Sequence, residues 1–322
     1  MKAVLVSQHG GPEVLAYSDV PDPVIKPTEL LVRVAASGIN YIDTYQRSGL
    51  YTMNLPYTPG LEGAGTVLEV GSAVTGFAVG DSVAWTSNLG SYAEVVALDA
   101  SKAVMVPPGI ELTQAAQAML QGITAHYLIT SVFEVKPGIT ALVHAAAGGV
   151  GLLLCQMITA RGGSVIGTVS TEAKAAAASA AGAAHVIRYD KEDFTTRVRE
   201  LTDGIGVSVV YDGVGASTFE GSLRSLTPRG MMVLFGQASG PVGSFDPQIL
   251  NSLGSLSLTR PSLMNFIQTR EELQWRASEV FEAMLSGDLA MTLGGSYPLS
   301  EAAQAHRDLE GRKSSGKLIL VP

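Results

Sequence analysis

The chain holds a single cysteine, Cys155, among 322 residues. One thiol closes no internal disulfide and builds no cysteine-based zinc site. Cys155 falls inside a helix-like apolar run, where a thiol is a small buried hydrophobe rather than a reactive group. Long apolar runs are missing too. Gly, Pro or a charge interrupts each one well short of the ~18 residues that a membrane span needs. Positive charge is scarce, with 21 Lys and Arg against 29 Asp and Glu and a net charge of -8. No run of Lys or Arg relieves that balance, so the chain opposes nucleic-acid phosphates and anionic membranes. Met1–Leu5 reads as a strand, with no apolar signal region or cleavage site, which makes the cytoplasm the expected location. At 46% hydrophobic, no long stretch is expected to be disordered. The length suffices for two domains with cores of their own.

Glycine is plentiful, and its placement in Ile139–Gly151 (ITALVHAAAGGVG) is the most informative feature present. An apolar strand-like run enters a glycine turn, which runs directly into the helix-like LLLCQMITAR. Strand, turn and helix in that order hold a dinucleotide pyrophosphate. Gly148 lets the backbone approach the phosphates, and Gly151 lets the helix pack closely on the strand. The helix N-terminus, with Gly149 and Val150, offers N–H groups and a partial positive charge. The first fingerprint position is Ala146, so the pattern is A-x-G-x-x-G. A plain tight turn is the competing reading, and the context on both sides favours the cofactor.

The remaining pattern is α/β. KAVLVSQ, ELLVRVAAS, GAGTVLEVG, DSVAWT and YAEVVAL read as short strands separated by turn chemistry. Helical texture begins near Leu112. Strands at 139–144, 164–169, 185–188, 207–212 and 230–235 then alternate with helices at 149–161, 171–181, 193–202 and 217–226. This is the pattern of a doubly wound parallel sheet. LSLT at 256–259 is a candidate edge strand, 269–286 an amphipathic helix and KLILVP a last strand.

The residue closing the second strand separates NAD from NADP, since NAD sites place Asp or Glu there to hold the ribose 2′-OH. Ser170 stands about 20 positions past Gly148, where that acid is expected. A small hydroxyl leaves room for a phosphate, and Lys174 follows on the helix start. Tyr189 can cover the same corner. The missing acid points to NADPH. Glu172, outside the usual position but within reach of a ribose, keeps NAD open, and Lys174 also reads as a solvated helix charge.

HAAAGGVG, with HGGPEVL at 9–15, GINYIDTYQRSGLY at 38–51 and TRPSL at 259–263, resembles the NADPH:quinone oxidoreductases. These form the zinc-independent, zeta-crystallin-like branch of the medium-chain dehydrogenase/reductase superfamily. Zinc-dependent relatives carry a Cys-x-Thr/Ser-Asp motif and a Gly-His-Glu motif. Here the corresponding stretches read Gly38-Ile39-Asn40-Tyr41-Ile42-Asp43 and Gly60-Leu61-Glu62-Gly63, without the Cys or the His. The resemblance implies a Rossmann doubly wound parallel sheet plus a GroES-like β-rich domain. The expected boundaries are 1–122 with 261–322 for the GroES-like domain and 123–260 for the NADPH-binding one. It also implies hydride transfer from NADPH to a quinone, and a homodimer. By position, Asn40, Tyr45, Tyr51 and Thr124 match catalytic-site residues. The cofactor-binding matches are Asn40, Tyr41, Ile42, Asp43, Thr44, Tyr45, Tyr127, Gly148, Gly149, Val150, Ser170, Lys174 and Tyr189. Phe235, Gly236, Ser239, Pro261, Ser262, Leu263 and Arg312 complete them. Gly213 departs from a bacterial relative that has Ser there.

A quinone accepts hydride readily and takes its proton from solvent, so no strong buried acid or base is required. Asn40 would orient acceptor or nicotinamide, with a helix-cap Asn as the competing reading. Tyr45 reads as stacking wall, proton donor or plain core. Asp43 and Glu62 read as a buried structural pair or cap before a general-acid pair. The second functional reading is an alkenal or enone reductase, whose carbanion needs a proton from Tyr41, Tyr45 or Tyr51. The third is a non-catalytic NADPH-binding protein with a structural or RNA-binding use, against which the net charge argues. An edge-strand dimer through Leu256–Thr259 is expected.

Overall fold

The computed structural model describes residues 1–312 and 314–322. It divides into two compact units, Met1–Ile123 with Ile267–Pro322, and Thr124–Phe266.

The first unit opens with β1 (Lys2–Leu5) and β2 (Ala16–Asp19), an antiparallel pair. Then come β3 (Glu29–Ile39), α1 (Tyr41–Ser48), β4 (Glu62–Val70), β5 (Ser82–Thr86), β6 (Val95–Asp99), β7 (Ala103–Met105) and α2 (Leu112–Tyr127), whose last residues, from Thr124, belong to the second unit. β3 explains much of this unit. Its Leu30, Val32 and Val34 alternate inward onto Val67, Val83, Trp85, Val96 and Leu98, while Arg33 faces out. Full burial of each such side chain stabilises by about 1.5–3 kcal/mol. Past Val34 the alternation ends, and Ala36–Ile39 are all buried, as in a strand covered on both faces. That buried exit delivers Asn40 to the start of α1.

The second unit carries β8 (Thr140–Val143), α3 (Gly149–Ala160), β9 (Ser164–Val169), α4 (Glu172–Ala180), β10 (His185–Arg188) and α5 (Phe194–Leu201). It continues through β11 (Val207–Asp212), α6 (Phe219–Ser225), β12 (Leu226–Leu234), α7 (Gln248–Ser252) and β13 (Ser257–Thr259). The strand order is β10-β9-β8-β11-β12-β13, all parallel. This is the Rossmann doubly wound order, which reverses beside β8. Leu142, Ile166, Val210 and Met232 fill its core with Leu223 and Phe219 of α6. The helix expected at 217–226 is shorter. Leu226 turns extended and Pro228 follows, so β12 begins there rather than at 230.

The chain returns to the first unit with α8 (Arg270–Ser286), β14 (Leu293–Pro298), α9 (Ala302–Glu310) and β15 (Lys317–Val321). Its main sheet runs β14-β15-β3-β4-β5-β7, with β6 also on β3. β15 lies antiparallel to the end of β3, Leu318 opposite Ile39. The last strand thereby brings Lys317 to the buried exit of β3.

Candidate active site

In the second unit, Gly148 caps α3 in an extended conformation, and its N–H bonds the Ala145 carbonyl at 2.8 Å. A Cβ on Gly151 would stand 2.3 Å from the Ala145 oxygen and 2.8 Å from the Ala146 Cα, so only glycine lets α3 seat on the turn. Gly148 differs. Its Cβ would meet only the Ala145 oxygen, at 3.1 Å, so the protein's own packing weakly constrains it. The first N–H groups of α3, Gly149 and Val150 among them, have no carbonyl within the helix to bond. A glycine left open on the side where a helix dipole presents its positive end fits a pyrophosphate.

The neighbouring strand ends are tied together. His144 contacts the Thr168 hydroxyl through Nδ1 and the Ser222 hydroxyl through Nε2, both at 2.9 Å. Ser222 and Thr218 donate to one Asp212 oxygen, at 3.0 and 2.7 Å. The other oxygen accepts the N–H groups of Val214 and Gly215 at 2.7 and 3.0 Å. Since Ser222 donates to Asp212, His144 donates from Nε2 and accepts at Nδ1. Burial lowers the His144 pKa against the pull of Asp212, which suits that neutral tautomer. The loop so fixed packs on Phe235 and Gly236. A Cβ at Gly213 would press within 3.0 Å of the Phe235 ring, so a serine there would require the ring to move. Ser239 donates to the Val214 carbonyl at 2.8 Å.

At the end of β9 no carboxylate closes the strand. The Tyr189 N–H bonds the Val169 carbonyl at 3.2 Å, which sets Tyr189 beside Ser170. Lys174 lies in the first turn of α4, its N–H on the Thr171 hydroxyl at 3.3 Å. Glu172 is engaged by Arg188 at 2.9 Å, and Arg188 also grips Asp190 with two bonds of 2.8 and 2.7 Å. Thr124 and Tyr127 are buried, the Tyr127 ring stacked 4.4 Å from Phe266. Pro261 is buried, Ser262 exposed and Leu263 begins the short turn that carries Phe266.

In the first unit Asn40 is the N-cap of α1, and its N–H bonds the Asp43 carboxylate at 2.8 Å. Its side chain is 3% exposed and fully engaged. The oxygen accepts from Lys317 at 2.7 Å and Gln121 at 3.2 Å, and the amide nitrogen donates to Glu62 at 2.8 Å. Lys317 pairs directly with the same Glu62 oxygen. The other Glu62 oxygen accepts the Leu120 N–H at 2.6 Å. Asn40 thus takes the N-cap position while Lys317, Gln121 and Glu62 hold its side chain, and an acceptor would have to share a group that the protein already uses.

A second chain leads away from Asp43. Tyr92 donates to its Oδ2 at 2.9 Å and contacts His306 Nε2 at 3.1 Å, and His306 Nδ1 meets Arg47 at 3.1 Å. Arg47 holds Glu310 at 2.8 and 3.1 Å. A guanidinium only donates, so His306 accepts at Nδ1 and donates from Nε2, and every proton in the chain is assigned. Burial lifts Asp43 to about 7 and drops His306 to about 3, the latter helped by Arg47. Asp43 Oδ1 has no partner among the described residues. Tyr41, Tyr45 and Tyr51 form a row, with ring centroids 6.3 and 5.4 Å apart in turn. Tyr51 is exposed, Ile42 half-buried, and Thr44 bonds the Tyr41 carbonyl at 2.7 Å. Arg312 sits in a turn after α9 at φ 54°. Sequence reasoning missed Lys317, Gln121, Tyr92, His306, Arg47 and Arg188. The one visible trace was a lysine opening an otherwise apolar strand.

Among the described residues no group of three or more His, Cys, Asp or Glu side chains could hold a metal ion. Residues 26–108 match the alcohol dehydrogenase GroES-like domain, and residues 149–281 match the domain described as zinc-binding dehydrogenase. A quinone oxidoreductase of Pseudomonas aeruginosa is 47% identical over 323 residues, covering 100% of this chain and 99% of the relative. The crystal structure of Escherichia coli quinone oxidoreductase complexed with NADPH superposes with a TM-score of 0.98 at 44% identity, covering 100% of both chains. A 2-haloacrylate reductase of a Burkholderia species is 39% identical over 331 residues, covering 99% of this chain and 98% of that one. With asparagine and leucine where the zinc-dependent enzymes carry their Cys and His ligands, the chain belongs to the zeta-crystallin-like quinone oxidoreductases, the zinc-independent branch of the medium-chain dehydrogenase/reductase superfamily.

Proposed function

We propose that this protein reduces quinones by two-electron hydride transfer from NADPH, without a metal. When bound, NADPH supplies the hydride. The protein's part is to hold and orient. The N-terminus of α3 binds the pyrophosphate, with Gly148 open to it. Ser170, Lys174 and Tyr189 take the 2′-phosphate, one by hydrogen bond and one by charge. The loop carrying Phe235, Gly236 and Ser239 and the segment Pro261–Leu263 flank the dinucleotide, held in place through Asp212 and the Tyr127–Phe266 stack. In the first unit the row Tyr41, Tyr45 and Tyr51 offers flat aromatic surface to a planar acceptor. The reduced quinone takes its proton from solvent. The observation that carries the cofactor choice is the end of β9, where Ser170 stands in place of an acid and Arg188 occupies Glu172.

The test is nicotinamide oxidation with 1,4-benzoquinone, run with NADPH and NADH, with a 2-alkenal and with EDTA. Turnover should be insensitive to EDTA. NADPH should be preferred about tenfold or more, since one charge-assisted contact contributes ~1.5–3 kcal/mol. Lys174→Ala should erase most of that preference by raising KM for NADPH alone. An unchanged preference would remove Lys174 from the phosphate site. The 2-haloacrylate reductase supports a second reading, reduction of a conjugated C=C bond, and turnover confined to the alkenal would establish it. The acidic net charge supports a small-molecule acceptor over nucleic acid. The acidic composition and single buried thiol also suit a reducing, cytoplasmic setting. A homodimer through β13 completes the proposal, because among the described residues that strand ends its sheet with one side unpaired.

A further inference from the structure

Two buried ionic groups flank α1, and neither belongs to the reacting machinery proposed above. The one at its N-terminus is the more constrained. Glu62 is 0% exposed and Lys317 2%, on β4 and β15 respectively. Burying a carboxylate and an ammonium costs several kcal/mol each, and their attraction offsets this only when further hydrogen bonds satisfy both groups. Here the further bonds converge on one side chain. Lys317 donates to the Asn40 oxygen, and Glu62 accepts from the Asn40 nitrogen. The polarity of the pair therefore fixes the amide: a flipped Asn40 would face the ammonium with N–H and the carboxylate with oxygen. Gln121 donates to the same oxygen and reinforces that orientation. Asn40 is in turn the residue from which α1 starts, and the helix carries Tyr41 and Tyr45.

We infer that Glu62 and Lys317 are positioning residues, an ion pair that locks the Asn40 amide and through it sets where α1 places Tyr41 and Tyr45 against the acceptor. The pair touches no reactant. It acts by removing the rotational freedom of Asn40 and the tilt of the first turn of α1. The effect on quinone turnover rests on the proposed function; the effect on Asn40 does not.

Removing one partner strands the other charge, and such a variant can simply fail to fold. The informative variant removes both charges together, Glu62→Gln with Lys317→Met, a replacement that buried ion pairs commonly tolerate. It is compared with Asn40→Ala and with the triple variant. The double variant should lose about tenfold or more in kcat for the quinone, as a displacement near 1 Å is enough to do. KM for the quinone should stay within about twofold, because stacking area is kept while alignment is lost. Adding Asn40→Ala should then cost nothing further, since the pair works through Asn40. Crystal structures of wild type and double variant should show the Asn40 amide rotated or displaced in the latter. Losses that multiply in the triple variant, wild-type kcat in the double variant, or an unmoved amide would each overturn the inference. If the wild-type protein turns over no quinone, the proposed function fails, and the crystal comparison alone decides whether the pair positions Asn40.

Discussion

Asp43 and His306 are joined through the Tyr92 hydroxyl, and burial displaces them in opposite directions. Asp43 rises from 3.8 to about 7, and His306 falls from 6.5 to about 3. Between 3.8 and 6.5 the folded protein keeps a proton on Asp43 that the unfolded chain has released, so this group makes stability fall as pH rises. Over the same interval the unfolded chain carries a proton on His306 that the folded protein has refused, so this group makes stability climb. The two slopes oppose each other and nearly cancel. The Asp43 proton sits on Oδ1, because Oδ2 already accepts from Asn40 and Tyr92. His306→Gln keeps a donor and an acceptor and should expose the Asp43 slope. Denaturant titrations should then show stability declining by up to about 1.4 kcal/mol per pH unit from 3.8 towards about 7. Asp43→Asn should show the reverse, a climb from about 3 to 6.5. A flat profile in either variant would mean that the two groups do not compensate one another.

The two glycines at the start of α3 differ in what they are for, and substitution separates the two uses. Gly151→Ala forces a Cβ into the Ala145 and Ala146 backbone, so α3 must lift from the turn. It should cost about 1–3 kcal/mol in stability as well as NADPH affinity. Gly148→Ala has no comparable collision, so it should keep its melting temperature within a few degrees while KM for NADPH rises about tenfold or more. If Gly148→Ala unfolds the protein without touching KM, the turn is structural only. These elements were legible in the sequence because their chemistry is local: strand, turn and helix lie within Ile139–Gly151. The start of α1 was legible as a motif but not as a site. Its partners come from far along the chain, Lys317 being 255 positions from Glu62 and His306 214 from Tyr92. No periodicity or spacing brings those residues together before β15 and α9 fold back on the first unit.

For the whole molecule, the alternation of strands and helices gave the parallel sheet, since both periods are written into each segment. Assembly is written less plainly. The three-residue β13 ends the sheet with a partly exposed strand, Ser257–Thr259. Sedimentation at micromolar concentration should give twice the 33.5 kDa mass of one chain. A species of one chain mass would leave β13 to be covered some other way. Quinones alkylate thiolates by conjugate addition, so an enzyme that gathers them risks consuming itself. Its only thiol, Cys155, is 0% exposed, and burial pushes its pKa up to about 12. Such a thiol is neither ionised nor reachable. The folded enzyme presents no thiolate that could add to its own electrophilic substrate, and adducts on Cys155 would mark only molecules that had already unfolded.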